Sequence, residues 1–255
     1  MTEHMFSVMK SLMLISNRSP GEAGGRAEKI DTQIRLLNDL GWDVTVVKTE
    51  PKITNIPLAV FRCWRHGHKN DVDAYLSMSN PPHLHLVGLS LHFLLDVPWV
   101  AYFRDPLVTI PDIEPGTVSY RMRKMIEEAV VRHADKVVWM DGIQVQKEYF
   151  TETYPDVPKD KFHELPYLGF ESEKFENSGS VEYNEFTITY AGSFYEGWIE
   201  PYNLLGGIEK YVDEHGRDIC VQFYGGWNED YQDAVENRGL DDIVETHDFV
   251  PHDEI

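Results

Sequence analysis

The sequence predicts an α/β protein of two units with parallel sheets, the second of them incomplete. Three observations lead there. Short apolar runs alternate with segments of helical period along the chain, the rhythm of βαβ units. The polar stretch ESEKFENSGSVEYNE (171–185) interrupts that rhythm and reads as a linker between domains. The series after it holds only about three strands, where a doubly wound domain has five or more. The expected division is a first domain over residues 1–170, a linker over 171–185 and a partial second domain over 186–255.

SLMLIS (11–16) is short and continuously apolar, as a strand buried on both faces should be. It runs into the turn-rich NRSPGEAGG. After that Ile30, Ile34, Leu37 and Leu40 recur at helical spacing and close at Gly41, a residue type that often ends a helix. DVTVVK (43–48) is the next strand, and two parallel strands joined by a helix form a right-handed βαβ unit. The rhythm continues with strand AYLSMS (74–79), a helix over 83–95, strand PWVAYF (98–103), a helix over 119–133, strand KVVWM (136–140) and a short helix through Tyr149. A parallel sheet of five or six strands results. Beyond the linker, strands FTITYAG (186–192), ICVQFYGG (219–226) and IVETHDFV (243–250) alternate with helices over 201–216 and 230–239. Asp253 and Glu254 resemble the first turn of another helix, so the second domain is expected to be cut short.

Charge narrows the function classes. The 255 residues carry 43 acidic and 23 basic side chains, a net charge of -20, which argues against a protein that coats nucleic acid. Residues 179–255 account for -15 of that with only Lys210, Arg217 and Arg238 as cations, leaving -5 for residues 1–178. Cys63 and Cys220 are too few for a disulfide framework or a cysteine-rich metal cluster, which fits a reducing cytoplasm. The longest apolar stretch, Val87 to Phe103, is broken by Asp96 and Pro98, so no spanning helix is expected. The expected location is cytoplasmic, with contact at the cytoplasmic face of a membrane left open.

Several residue groups sit where parallel sheets place chemistry. Gly24 and Gly25, with Arg26 behind them, lie between a strand and a helix, where backbone amides and the helix dipole hold a phosphate or a sugar hydroxyl; a tight turn that needs glycine is the other reading. No G-x-G-x-x-G fingerprint is present, which argues against a nicotinamide cofactor, and no cofactor is expected. NPPHLHLVGLSLHFLLDVPWVAYFRDP places Pro81-Pro82 at the carboxyl end of one strand and Arg104-Asp105-Pro106 at the end of another, the edge where open sheets bind ligands. The Arg104–Asp105 pair either holds sugar hydroxyls and orients a reacting group or caps a loop. Asp71-Val72-Asp73 matches a metal-binding D-x-D, but in a parallel βαβ setting it reads as the cap of the strand that follows. His83 and His85 lack partners at zinc spacing and read as polar contacts at a helix start. Phe61, Arg62, Trp64, Arg65, His66, His68 and Lys69 form a compact basic and aromatic cluster. It is either a membrane-facing surface or a solvated connection.

Four blocks in this order resemble the retaining glycosyltransferases of family 4. They are SPGEAGGRAEKI with LLNDLGWDVTVV; SMSNPPHLHLVGLSL with PWVAYFRDP; IEEAVVRHADKVVWM; and FTITYAGSFY with IEPYNLLGGIEKY. The resemblance implies the GT-B fold, two Rossmann-like domains across a cleft. It also implies a nucleotide-sugar donor, a glycan or lipid-linked acceptor and no essential metal. It would put Gly24 and Gly25 near donor phosphate or acceptor, Asp105 beside the reacting sugar, Glu127 hydrogen-bonded within the cleft, and Gly192 and Ser193 at the start of the donor side. Departures are visible. A His-Asp pair is commoner where Arg104-Asp105 stands, the cation that follows the Gly-Ser turn is missing from FYEGWIEP, and the paired glutamates of the donor half do not occur. A diphosphate brings about two negative charges to a segment of net -15, so the chain by itself is expected to bind donor poorly and to lack transfer activity. Two other readings stay open: a non-catalytic or partner-dependent half-enzyme, and a nucleotide-sugar epimerase of the same fold.

Overall fold

In the computed structural model, β1 (Lys10–Ser16) runs parallel between β2 (Trp42–Lys48) and β3 (Ala74–Met78), with Leu12 opposite Val44 on one side and Ala74 on the other. That central place explains its unbroken apolar run, since the strand is covered on both faces. The structure describes residues 9–21, 25–50, 52–79, 81–110, 113–140, 144–165, 183, 185–194, 197 and 199–250. β4 (Trp99–Tyr102), β5 (Lys136–Met140) and β6 (Phe162–Leu165) complete a six-stranded, all-parallel sheet of order β2-β1-β3-β4-β5-β6. The chain divides into two compact units, Met1–Phe170 and Glu171–Ile255.

The helices of the first unit are α1 (Gly25–Asp39), α2 (Ile56–Asn70), α3 (His83–His92), α4 (Val118–His133) and α5 (Gln144–Thr153). α1 returns the chain from β1 to β2, and Gly41 turns it there with a φ of 86°. α4 begins at Thr117, whose hydroxyl accepts from the Tyr120 N–H at 3.1 Å, a side-chain cap of the free first turn. The main core lies between the sheet and α2 to α5. Met13, Ile15, Tyr75, Trp99, Val137 and Trp139 from the strands meet Leu84, Leu91, Val130 and Phe150 from the helices. Gly88 lets α3 seat there, because a Cβ would stand 2.8 Å from the Trp99 ring. At the amino edge, Asp73 accepts from the Ser11 N–H at 2.7 Å and Asp135 from the Trp99 N–H at 2.8 Å. Asp73 thus ties the start of β3 to β1, the capping role that its sequence context favours.

The aromatic and basic segment around residues 61–69 lies on α2, a 15-residue helix, not on a connecting loop. Its apolar spacing is hidden by exposed Leu58, Phe61 and Trp64 on the face away from the core.

The second unit is a three-stranded parallel sheet, β7 (Phe186–Ala191), β8 (Ile219–Tyr224) and β9 (Val244–His247), in the order β7-β8-β9. Helices α6 (Tyr202–His215) and α7 (Glu229–Glu236) pack Leu205, Ile208 and Val235 against Val221 and Phe223. Asn228 caps α7 by accepting from the Tyr231 N–H at 2.9 Å. The linker expected over 171–185 lies almost wholly outside the described residues.

Candidate functional site

The loop after β4 is held by four neighbouring elements. Phe103 continues the ladder, its N–H donating to Val138 O at 2.8 Å. Ser79, just past β3, accepts from the Arg104 N–H through Oγ at 2.7 Å, and its own N–H donates to Tyr102 O at 2.8 Å. Gln146, in the first turn of α5, donates from Nε2 to Arg104 O at 2.5 Å. Glu127 of α4 accepts from the Leu107 N–H through Oε2 at 2.5 Å. Arg104 and Leu107 are therefore fixed on either side of Asp105, whose side chain is exposed. A short loop with its backbone bonds satisfied by buried side chains fixes the stretch of backbone from which the carboxylate projects.

Glu127 is fully buried. Its Oε1 accepts from the Tyr149 and Tyr154 hydroxyls, the latter at 2.8 Å. Burial pushes its carboxyl above the usual range, opposed by hydrogen bonds from Tyr149, Tyr154 and the Leu107 N–H and by the nearby Lys124 charge. Burial and the Glu127 charge raise both phenols, which stay protonated as donors. Glu127 thus sits beneath the loop and anchors it.

A second buried network lies under β3 and β4. Trp99 Nε1–H donates to Ser77 Oγ at 2.9 Å, and Ser77 Oγ lies 2.8 Å from His85 Nδ1. A hydroxyl that receives the indole proton has its own hydrogen available for the imidazole, an arrangement in which Nδ1 accepts and the proton rests on Nε2, which has no hydrogen-bond partner among the described residues. Burial pushes the His85 pKa down to about 3, and its ring packs at 4.4 Å on Phe103, the first residue of the Arg104 loop. His83, at the start of α3, is also buried and held below its usual range by that burial, partly offset by a bond to the Glu50 backbone.

β1 and β4 are parallel members of one sheet, so the loop before α1 and the Arg104–Asp105 loop emerge at the same carboxyl edge. The order β2-β1-β3 reverses the winding at β1, and loops there flank a ligand crevice in this class of sheet. Gly25 is the first residue of α1 and Arg26 the second. Gly24 and the Arg26 side chain lie outside the described structure. The turn ahead of them is tied to α1, because the Gly21 N–H donates to the Asp31 carboxylate at 3.1 Å.

In the second unit, Gly192 and Ser193 follow β7 directly, and the Gly192 N–H donates to Tyr224 O at 2.9 Å. Gly225, at the end of the neighbouring strand, has a φ of 135°, and a Cβ there would stand 2.0 Å from Gly192 O. The two strand ends approach as only glycine allows. Sequence reasoning did not single out Gly225; the Gly225-Gly226 doublet closing ICVQFYGG, parallel to the Gly192-Ser193 ending of FTITYAGS, was the available signal. Beside it Tyr224 stacks on His247, with ring centroids 4.4 Å apart.

No protein-family model matches the sequence, and no curated protein matches it in sequence either. Solved structures do match in shape. A glycosyltransferase from Rickettsia africae is 14% identical with a TM-score of 0.67, over 94% of this chain and 69% of that one. HepE of Anabaena, in complex with UDP and glucose, is 15% identical with a TM-score of 0.63, over 94% and 70%. A putative UDP-N-acetylglucosamine 2-epimerase from Listeria monocytogenes is 10% identical with a TM-score of 0.61, over 97% and 71%. The fold is GT-B-like. Identities this low carry the fold and nothing about chemistry.

Proposed function

We propose that the protein is a retaining glycosyltransferase that moves a hexose-like unit from a nucleotide-sugar to a glycan or lipid-linked acceptor, without a resident cofactor or metal. The observation that carries this reading is the Arg104–Asp105 loop, an exposed carboxylate at the ligand-binding edge of a parallel sheet with its flanks fixed by Ser79, Gln146 and Glu127. The binding of UDP and glucose by HepE, which shares the fold, supports a nucleotide-sugar donor. In this reading Asp105 orients a sugar hydroxyl, Glu127 positions the loop that bears it, and Gly25 and Arg26 approach acceptor or phosphate at the start of α1. The end of β7 at Ser193 receives the donor diphosphate, since the Gly192 N–H is already given to Tyr224 O while the glycines at 192 and 225 leave the backbone there open to an anion. With three basic residues in a segment of net -15, the second unit grips a diphosphate weakly, so transfer by this chain is expected to be slow at best.

A second reading, nucleotide-sugar epimerisation, is favoured by the likeness to the Listeria protein. The test is prolonged incubation of the full chain with millimolar UDP-, GDP- and dTDP-sugars, each with and without hydroxyl acceptors, read by NMR at the anomeric carbon. Glycoside formed with retained anomeric configuration supports transfer, and inversion overturns retention. An epimerised donor establishes the second reading. Intact donor in every arm overturns both.

A further inference from the structure

Helix α2 has two unlike faces. Ala59, Cys63 and Gly67 are buried, and a Cβ on Gly67 would stand 2.9 Å from Leu95 Cδ1, so this face is seated tightly beside α3. The opposite face exposes Leu58, Phe61 and Trp64 together with Arg62, Arg65 and Lys69. Phe61 is 54% and Trp64 36% exposed, with ring centroids 6.1 Å apart, and His68 stands edge-on to Trp64 at 4.9 Å. No Asp or Glu occurs between Ile56 and Asn70, in a chain of net charge -20.

The pattern recurs two helices away. α2 packs on α3 and α3 on α4, all against one face of the sheet. On α4, Val118, Met122 and Met125 form an exposed stripe at i, i+4 and i+7, beside exposed Arg121 and Lys124. Between them α3 ends in exposed Phe93 and Leu94. A surface that shows this many large apolar groups, on α2 among cations and without an acid, departs from the mixed, patch-free norm.

We propose that the outer face of α2, extended by α4, docks on an anionic lipid bilayer. Phe61 and Trp64 enter the headgroup layer, where amphipathic rings settle, and Arg62, Arg65 and Lys69 meet acidic headgroups. Charge complementarity selects this occupant. A chain of net charge -20 is repelled by an anionic membrane except where cations gather, so the cationic face sets the orientation. A surface spread across three adjacent helices also suits a plane better than it suits one peptide strand. The docking face is distinct from the Arg104–Asp105 loop, and the inference stands whether or not the chain transfers sugar.

The experiment is co-sedimentation of the full chain with vesicles of phosphatidylcholine alone or of equal parts phosphatidylcholine and phosphatidylglycerol. Binding to the anionic vesicles only, weakening with added salt, is expected. The double variant Arg62→Gln/Arg65→Gln should lower the partition coefficient by about thirtyfold, from about 1 kcal/mol per basic residue near such a surface. Phe61→Ser/Trp64→Ser should also lower it, with an unchanged melting temperature confirming that the fold is intact. Equal binding to both vesicle types, binding undiminished in the arginine variant, or no binding with self-association instead would each overturn the proposal. The last of these would assign the face to a second copy of the chain.

Discussion

Glu127 Oε2 receives the Leu107 N–H at 2.5 Å, which ties the middle of α4 to the loop two residues beyond Asp105. The contact is buried, and the other carboxyl oxygen takes two tyrosine hydroxyls. Removal of the carboxyl would leave the buried Leu107 N–H and Tyr154 hydroxyl and the half-buried Tyr149 hydroxyl without this acceptor. Glu127→Ala should therefore cost about 3 kcal/mol or more of stability, measured by chemical denaturation. Glu127→Gln should cost less, since it keeps one acceptor oxygen.

The same group sets a pH dependence. Its pKa is raised in the folded state above the ordinary 4.5, so the folded protein holds this proton more tightly than the unfolded chain does. That stabilising difference is complete below about pH 4.5 and is lost as pH rises through the folded pKa. The stability gap between wild type and Glu127→Gln should accordingly be largest in mild acid and shrink toward neutral pH. A gap that widens with rising pH would contradict this.

His85 behaves in the opposite sense. Its folded pKa of about 3 lies well below the ordinary 6.5, so the unfolded chain takes up a proton that the folded protein refuses. Stability from this group is full above pH 6.5 and falls as pH drops toward 3, at up to about 1.4 kcal/mol per pH unit. His85→Gln, which keeps a partner for Ser77, should remove that slope between these limits. Nitrogen NMR should find the imidazole neutral, with its proton on Nε2, at pH 5.

Asp105 should separate activity from stability. Asp105→Asn is expected to lower turnover by about 100-fold, the scale of one positioned polar group, while the melting temperature stays within experimental scatter. Equal turnover in the two proteins would remove Asp105 from the reaction.

Gly225→Ala should disrupt the second unit more than Gly192→Ala does. At Gly225 both a φ of 135° and a backbone oxygen 2.0 Å from the added carbon oppose the change, whereas at Gly192 the nearest atom is the Tyr190 hydroxyl at 3.2 Å, the end of a side chain that can shift. We expect a loss of about 2 kcal/mol or more at Gly225, seen as faster hydrogen exchange at Val221 to Tyr224. The β3 and β4 amides should be unaffected.

What the sequence determined by itself was carried by local patterns. Continuous apolar runs such as SLMLIS and KVVWM mark strands covered on both faces, and their alternation with helical periods is enough to specify a parallel α/β sheet. A parallel sheet then places every loop after a strand on one edge, so the shared edge of the Gly25 and Asp105 loops is legible in the sequence. Tertiary structure alone decided the rest. The helix at Ile56–Asn70 is masked in the sequence because its outward face carries Leu58, Phe61 and Trp64, and a period is readable only when one face is polar. Glu127 draws its partners from residues 20, 22 and 27 positions away, and Gly225 meets Gly192 across two strands. Such contacts follow from how elements pack, and packing brings together residues whose separation along the chain carries no trace of it.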